Sequence, residues 1–242
     1  MKIGVAQTRP VKGDIHTNIA QHKRLIALAV ELEANMLVFP ELSITGYEPG
    51  LARELATSQD DERFDDFQLI SNGSKVVIGV GVPIQAGAGI MIGTVIFQPN
   101  KPRQTYNKQY LHADEDPFFV PGDTPLFLDG ENDKIALAIC YELSVPEHAV
   151  DAVANGATVY LCSVAKTVAG AAKAIETLAG TARSHHMAVL MSSCVGHCDN
   201  FDCGGRSAVI DHEGQLLAQL DDCREGILIY DTKTMEIIER ML

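Results

Sequence analysis

The chain is short of positive charge. It carries 19 lysines and arginines against 32 aspartates and glutamates, a formal net charge of −13 over 242 residues. A surface of that sign repels phosphate backbones and anionic headgroups, which argues against nucleic acid and membrane surfaces as partners. Long apolar runs are missing as well, and none approaches the ~20 residues that a transmembrane helix needs. Met1 leads straight into the strand-like Ile3-Gly4-Val5-Ala6. No basic segment precedes an apolar one, so no secretory leader is expected and the expected compartment is the cytoplasm. No Pro/Gly/Ser-rich linker, charge block, repeat or low-complexity tract divides the sequence. With 46% hydrophobic residues, residues 1–242 are expected to form one domain around a large core.

Several catalytic signatures are absent too. There is no Gly-x-Ser-x-Gly elbow, which excludes the Ser-His-Asp chemistry built on one. Gly79-Val80-Gly81 lies in a strand pattern and lacks the third glycine of a phosphate-binding loop. The six cysteines (Cys140, Cys162, Cys194, Cys198, Cys203 and Cys223) read as reduced thiols in a chain without a leader. Cys194-Val195-Gly196-His197-Cys198 with Cys203 offers zinc-type donors. The spacing fits no common finger, however, and the segment reads as a glycine-rich loop between strands. No metal and no cofactor is therefore assigned. His185-His186 ends a helical segment, where it serves capping and the helix dipole better than catalysis.

What is present is an alternation of short apolar runs with helical periodicity. Strands are expected at residues 3–7, 36–39, 76–82, 90–97, 103–107, 135–139, 158–162, 188–192, 207–211, 216–220 and 226–230. Helices are expected at 18–33, 60–72, 146–155 and 169–186. Many strands and few helices, in mixed order, suggest two sheets packed face to face with helices outside.

Three segments carry chemistry. Cys140 ends the apolar run Lys134-Ile-Ala-Leu-Ala-Ile-Cys140 and is followed by Tyr141-Glu142 and Pro146-Glu147. A thiol where a buried strand becomes a turn is held rigidly and opens onto a cleft. Glu41 lies in Phe39-Pro-Glu-Leu-Ser-Ile-Thr-Gly-Tyr47, just after another strand, and Lys108 lies in Tyr106-Asn-Lys108. Singly, such residues are most often an inert core thiol, a turn carboxylate and a surface lysine. Together they supply a nucleophile, a proton acceptor and a cation.

These three contexts, in this order and at this spacing, resemble the nitrilase superfamily of carbon–nitrogen hydrolases. A weaker match, Gly205-Arg-Ser-Ala-Val-Ile-Asp211 with Gly214 and Leu217-Ala218, extends the resemblance over nearly the whole chain. It implies an α/β fold, a four-layer αββα sandwich of two mixed sheets flanked by helices. It implies Cys140 as nucleophile, Glu41 as general base and Lys108 in the oxyanion site, with the Tyr141 N–H as second donor. It implies no cofactor, a small-molecule amide as substrate and a homo-oligomer, a dimer or higher. Family members often carry a second carboxylate ahead of a Pro-Gly-Asp segment. Glu115 stands at that position, crowded by Asp114 and Asp116, and a solvated acidic turn is the competing reading.

Tyr47, Tyr141, Glu142 and Lys166 are the residues expected to contact substrate. Lys166 could meet a substrate carboxylate, with a solvated lysine as the alternative. Two departures stand out. Glu142 occupies a position where many amidases of the family have Asp, and Leu143-Ser144-Val145 replaces a more polar run. The sequence contains no tryptophan, so the Cys-Trp-Glu usual in nitrilases is here Cys140-Tyr141-Glu142. The expected activity is hydrolysis of a small linear amide through a thioester. The rivals are a nitrilase and a catalytically silent binder.

Overall fold

Strands that are apolar on both faces need cover on both faces, and that requirement sets the architecture. The computed structural model describes residues 1–87 and 89–242. In chain order the elements are β1 (Lys2–Thr8), α1 (Ile15–Glu31), β2 (Met36–Val38), α2 (Ala52–Leu55), α3 (Asp65–Ser74), β3 (Val77–Ala86), β4 (Gly89–Phe97) and β5 (Gln104–Asn107). There follow β6 (Phe127–Asp129), β7 (Lys134–Ile139), α4 (Pro146–Ala154), β8 (Val159–Val164), α5 (Val168–His185), β9 (Ala188–Cys198) and β10 (Phe201–Gly204). The chain closes with β11 (Ala208–Ile210), β12 (Leu216–Gln219), β13 (Gly226–Asp231) and β14 (Ile237–Met241).

Period-two alternation sorts the strand residues into layers. Ile3 and Val5 of β1, Met36 and Val38 of β2, Ile135, Leu137 and Ile139 of β7, and Val159 and Leu161 of β8 share one central core. Their neighbours face the other way. Ala6 and Leu37 pack with Leu25 and Ile26 of α1 and Phe67 of α3. Ala136, Ala138 and Tyr160 pack with Ala149 of α4 and Ala174 and Leu178 of α5. Three apolar layers separate four structural ones: helices, sheet, sheet, helices. The fold is the α/β four-layer sandwich.

The two sheets are joined more closely than expected. Backbone pairing runs β5-β4-β3-β2-β1-β9-β8-β7-β6 without a break. The seam is short: β1 and β9 pair in parallel at Gln7↔Ser193 and Thr8↔Cys194. The two sheets thus form one curled surface, pinched where β1 and β9 meet.

Three strands escape the sequence reading: β6, β10 and β14. β9 also continues to Cys198 where residues 188–192 were expected. The segment read as a glycine-rich loop is a tight hairpin. Asp199 and Asn200 form its turn, Phe201 pairs with Cys198, and Asp199 takes the left-handed φ of 47° that two-residue hairpin loops use. Asp-Asn between the two runs was the signal. Among the described residues no helix is long and apolar enough to cross a membrane.

Candidate active site

Three chain turns meet at one end of the sheets. Glu41 sits in the turn after β2, where Leu42 adopts a left-handed φ of 50°. That turn lies directly against β3 at Gly81, where a Cβ would come within 2.4 Å of both Leu42 N and Pro40 O. Gly81 of the Gly79-Val80-Gly81 run, of no use to phosphate, thus makes room for the Glu41 turn. Two further contacts brace it. His22 of α1 stacks on Phe39 at 4.0 Å, and its Nε2 lies 2.9 Å from Ser43 Oγ. Ser163, at the end of β8, donates to Phe39 O at 2.8 Å.

Lys108 follows β5. Its N–H donates to Ile92 O at 2.8 Å, and its carbonyl accepts the Gly122 N–H at 2.7 Å. The acidic loop therefore folds back over the lysine, and Gly122 allows it: a Cβ there would lie 2.7 Å from Asn107 O. Cys140 is the first residue of a 3-10 turn, residues 140–144, immediately after β7. It holds a left-handed φ of 47°, a strained conformation for a side-chain-bearing residue. The strain turns its sulfur off the sheet, 3.8 Å from Ala165 O.

The side chains converge. Lys108 Nζ lies 2.8 Å from Glu41 Oε1 and 2.7 Å from Glu115 Oε1, with all three residues buried. Glu115 is fixed in turn by the Tyr47 hydroxyl at 3.1 Å and the His112 N–H at 2.8 Å. Two of the three ammonium hydrogens are thus engaged. Glu41 Oε2 accepts no hydrogen bond from any described residue.

The electrostatics come from burial and this crowding. Burial pushes the Cys140 thiol up to about 11. Glu41 adds to that shift, while Lys166 and Lys108 pull against it. Burial likewise raises Glu41 above the usual carboxylate range, opposed by Lys108 and assisted by Glu115. Burial works against the charge on Lys108, yet Glu41, Cys140 and Glu115 outweigh it, and its pKa ends above the ordinary lysine value. At rest the thiol is therefore neutral, and the Lys108 ammonium lies between the carboxyl groups of Glu41 and Glu115.

A pocket of about 640 Å³ opens onto Cys140, with Tyr47, Glu115, Tyr141, Lys166 and Phe201 in its walls. Glu142 is the exception among the expected substrate contacts. It is fully buried, away from the pocket. Its Oε1 accepts the Gln109 N–H at 2.6 Å, and its Oε2 accepts the Ile139 N–H at 2.6 Å and the Tyr106 hydroxyl at 2.8 Å. A carboxylate with this many donors is a brace between the Cys140 and Lys108 turns, and none of its acceptor sites faces substrate. Two other residues escaped the sequence reading. His148 links Tyr106 and Tyr160 behind that brace, and Phe201 comes from a strand that was read as loop.

The chain matches the carbon–nitrogen hydrolase family over residues 2–239. It belongs to that family. Among the relatives of this carbon–nitrogen hydrolase is a protein called "Hydrolase in pqqF 5'region" from Pseudomonas protegens. It is 28% identical over 227 residues, which cover 90% of this chain and 78% of that one. The glutamine-dependent NAD(+) synthetase of Thermotoga maritima is 23% identical over 90% of this chain, which spans only 39% of the synthetase. The NitN amidase from Nesterenkonia sp. AN1 has the same fold, with a TM-score of 0.87 at 24% identity over 96% of this chain and 92% of the other. A variant of that amidase in complex with butyramide superposes with a TM-score of 0.86 at 21% identity, over 99% of this chain and 90% of the other.

Proposed function

We propose that this carbon–nitrogen hydrolase cleaves small linear carboxamides through a Cys140 thioester, releasing ammonia or an amine. The observation that carries the reading is the buried Lys108 ammonium held between Glu41 and Glu115 at the pocket that contains the Cys140 thiol. Glu41 Oε2, without a partner among the described residues, accepts the thiol proton as sulfur attacks the amide carbon. The oxyanion that forms is held by the third Lys108 N–H and by the Tyr141 N–H, which has no intrahelical acceptor at the start of its turn. Glu41 then returns the proton to the leaving nitrogen. In the second half it takes a proton from water as hydroxide oxygen attacks the thioester, and the thiol is restored. The proton count closes: one leaves the thiol, one leaves water, and the products are an acid and an amine. Glu115, fixed by Tyr47 and the His112 N–H, holds the lysine in place throughout.

Lys166, in the pocket wall, favours amides with a carboxylate at the far end. Glutamine is one such amide, and the NAD(+) synthetase relatives give that substrate class a place in the test. The nitrilase and silent-binder readings are its competitors. The test is ammonia release from a panel of short amides, glutamine and matched nitriles by the wild type and by Cys140→Ala. Turnover of at least one amide by the wild type alone is expected. No turnover of any member, or equal turnover by Cys140→Ala, would overturn the reading.

A further inference from the structure

The β9–β10 hairpin gathers the cysteines that spacing alone leaves unassigned. Cys194 and Cys198 lie four residues apart on β9, and Cys203 of β10 pairs with Gly196, midway between them. Residues two apart on a strand share a face, and directly paired residues share one too. The register therefore turns three thiols toward one point. All three are buried, and their sulfurs lie within 4.8 Å of one another. Cys194 Sγ and Cys203 Sγ are 3.1 Å apart. That is closer than the ~3.5–4.0 Å at which non-bonded carbon atoms settle. Three cysteines used only as small apolar side chains have no reason to crowd in this way.

The spacing suits a shared cation. Metal–thiolate bonds of about 2.3 Å place sulfurs about 3.8 Å apart in tetrahedral and about 4.0 Å apart in trigonal geometry. Small rotamer changes within the 4.8 Å envelope reach either. Soft thiolates select Cu⁺ and Zn²⁺ over harder ions. Among the described residues no fourth Cys, His, Asp or Glu joins the group. His197, on the same hairpin, is exposed and paired with Asp202 at 3.0 Å.

We propose that Cys194, Cys198 and Cys203 form a three-thiolate site for a thiophilic closed-shell cation, Zn²⁺ or Cu⁺, behind the wall of the active-site pocket. Each thiol gives up its proton to solvent on binding, three in all, and no electron moves. Three sulfurs complete the coordination of Cu⁺, whereas Zn²⁺ takes one more ligand from solvent. The site adjoins the chemistry: the hairpin's Asp199, Asn200 and Phe201 line the pocket, Phe201 packs on Tyr47 at 5.9 Å, and Cys203 bridges to Thr167 in the opposite wall.

The experiment loads reduced, chelator-stripped protein with one equivalent of Zn²⁺ or, anaerobically, of Cu⁺. Metal retained after desalting is measured for the wild type, Cys140→Ser, Cys198→Ser and Cys203→Ala, and each variant's thermal unfolding is followed with and without ion. One ion per chain is expected in the wild type and in Cys140→Ser. Cys198→Ser and Cys203→Ala should bind more weakly by more than the ~10–100-fold that changes around a ligand shell cost. In the wild type, which needs no substitution to fold, bound ion should protect Cys194, Cys198 and Cys203 together from alkylation. Metal lost only in Cys140→Ser would place it on the active-site thiol and overturn the proposal. So would equal retention by Cys198→Ser and Cys203→Ala, no retention of either ion, or a Cys194–Cys203 disulfide forming in a protein that takes up no metal when reduced.

Discussion

Glu142 Oε1 accepts the backbone N–H of Gln109 at 2.6 Å, which ties the turn that presents Cys140 to the residue next to Lys108. The tie extends backward. Burial drives His148 down to about 4, so its ring is neutral near pH 7. Tyr106 donates to Glu142 Oε2, so its oxygen is left to accept from His148 Nε2–H, and the Tyr160 hydroxyl donates to Nδ1. Burial raises Glu142 to about 7 against the Ile139, Gln109 and Tyr106 donors that favour its charged form, and every hydrogen in the row points toward its carboxyl group.

Glu142→Gln should therefore damage both fold and rate. The amide group brings N–H donors to a position surrounded by donors, and each buried group left unpaired costs about 1–3 kcal/mol. A lower unfolding midpoint together with a reduced kcat is expected, read by thermal denaturation and steady-state turnover. A variant with wild-type stability and a raised KM alone would mean that Glu142 meets substrate after all.

Lys108→Met tests the central ion row. It leaves Glu41 and Glu115 buried without a cation, and breaking a buried pair in this way costs about 3–5 kcal/mol. Restoring neutrality at the partner should recover part of the stability: Lys108→Met combined with Glu115→Gln should unfold at a higher temperature than Lys108→Met alone. Activity should stay lost in both, since removing one oxyanion donor costs about 10²–10³ in rate. If the double variant were no more stable than the single one, Lys108 and Glu115 would not be coupled as described.

Glu41 and Cys140 were legible because each follows a plain apolar strand, whereas Lys108 follows the polar β5 and was legible only through the Tyr106-Asn-Lys108 motif that carries the family resemblance. Glu115 was legible only with Asp114 and Asp116 as rivals. Its choice is made by the His112 N–H and the Tyr47 hydroxyl, and the tyrosine reaches it from across the fold. Glu142 misled because its place beside the nucleophile says nothing of direction, and a 3-10 turn sends it inward. The β9–β10 hairpin was hidden by Gly196 in β9 and by Asp202 and Gly204 in β10, residue types depleted in strands, which the cross-strand register pairs all the same.

The pH profile is set by the carboxylate. Glu41 must be ionised to take the thiol proton, and burial raises its pKa above the usual range. As pH falls through that raised pKa the base is lost, so the acid limb of kcat/KM should lie above the ~4.3 of an unperturbed glutamate. Measured with a neutral amide, an acid limb at or below that value would contradict the assignment of Glu41 as base.

Thiol labelling separates resting reactivity from induced reactivity. Cys140 is half-buried with its thiol held near 11, whereas Cys223 is exposed. A maleimide at neutral pH should modify Cys223 first. Chloroacetamide, itself a small carboxamide, should reverse that order by entering the pocket, where Glu41 accepts the proton. Glu41→Gln should abolish the reversal. Peptide mapping that finds the same order with both reagents would show that the pocket does not recognise amides.

The remaining choice is between amide and nitrile, and the proposed oxyanion donors favour the amide. An amide passes through a tetrahedral oxyanion that the third Lys108 N–H and the Tyr141 N–H can hold, and donors of this kind are worth roughly 3–4 kcal/mol each. A nitrile instead gives a nitrogen-centred thioimidate that must gain protons before anything leaves. The proton that Glu41 has just taken from Cys140 would have to serve that nitrogen before water attacks. Amides should therefore turn over faster than nitriles of equal chain length across a matched series, measured as ammonia release. Within the amides, a terminal carboxylate should lower KM through Lys166, and Lys166→Ala should raise that KM by up to about 5-fold, in keeping with the up to ~1 kcal/mol of a partly exposed charge pair. Values of kcat and of KM for neutral amides should hardly change. Faster nitrile turnover throughout the series would reverse the assignment. An unchanged preference for acidic amides in Lys166→Ala would move the anchor elsewhere in the pocket.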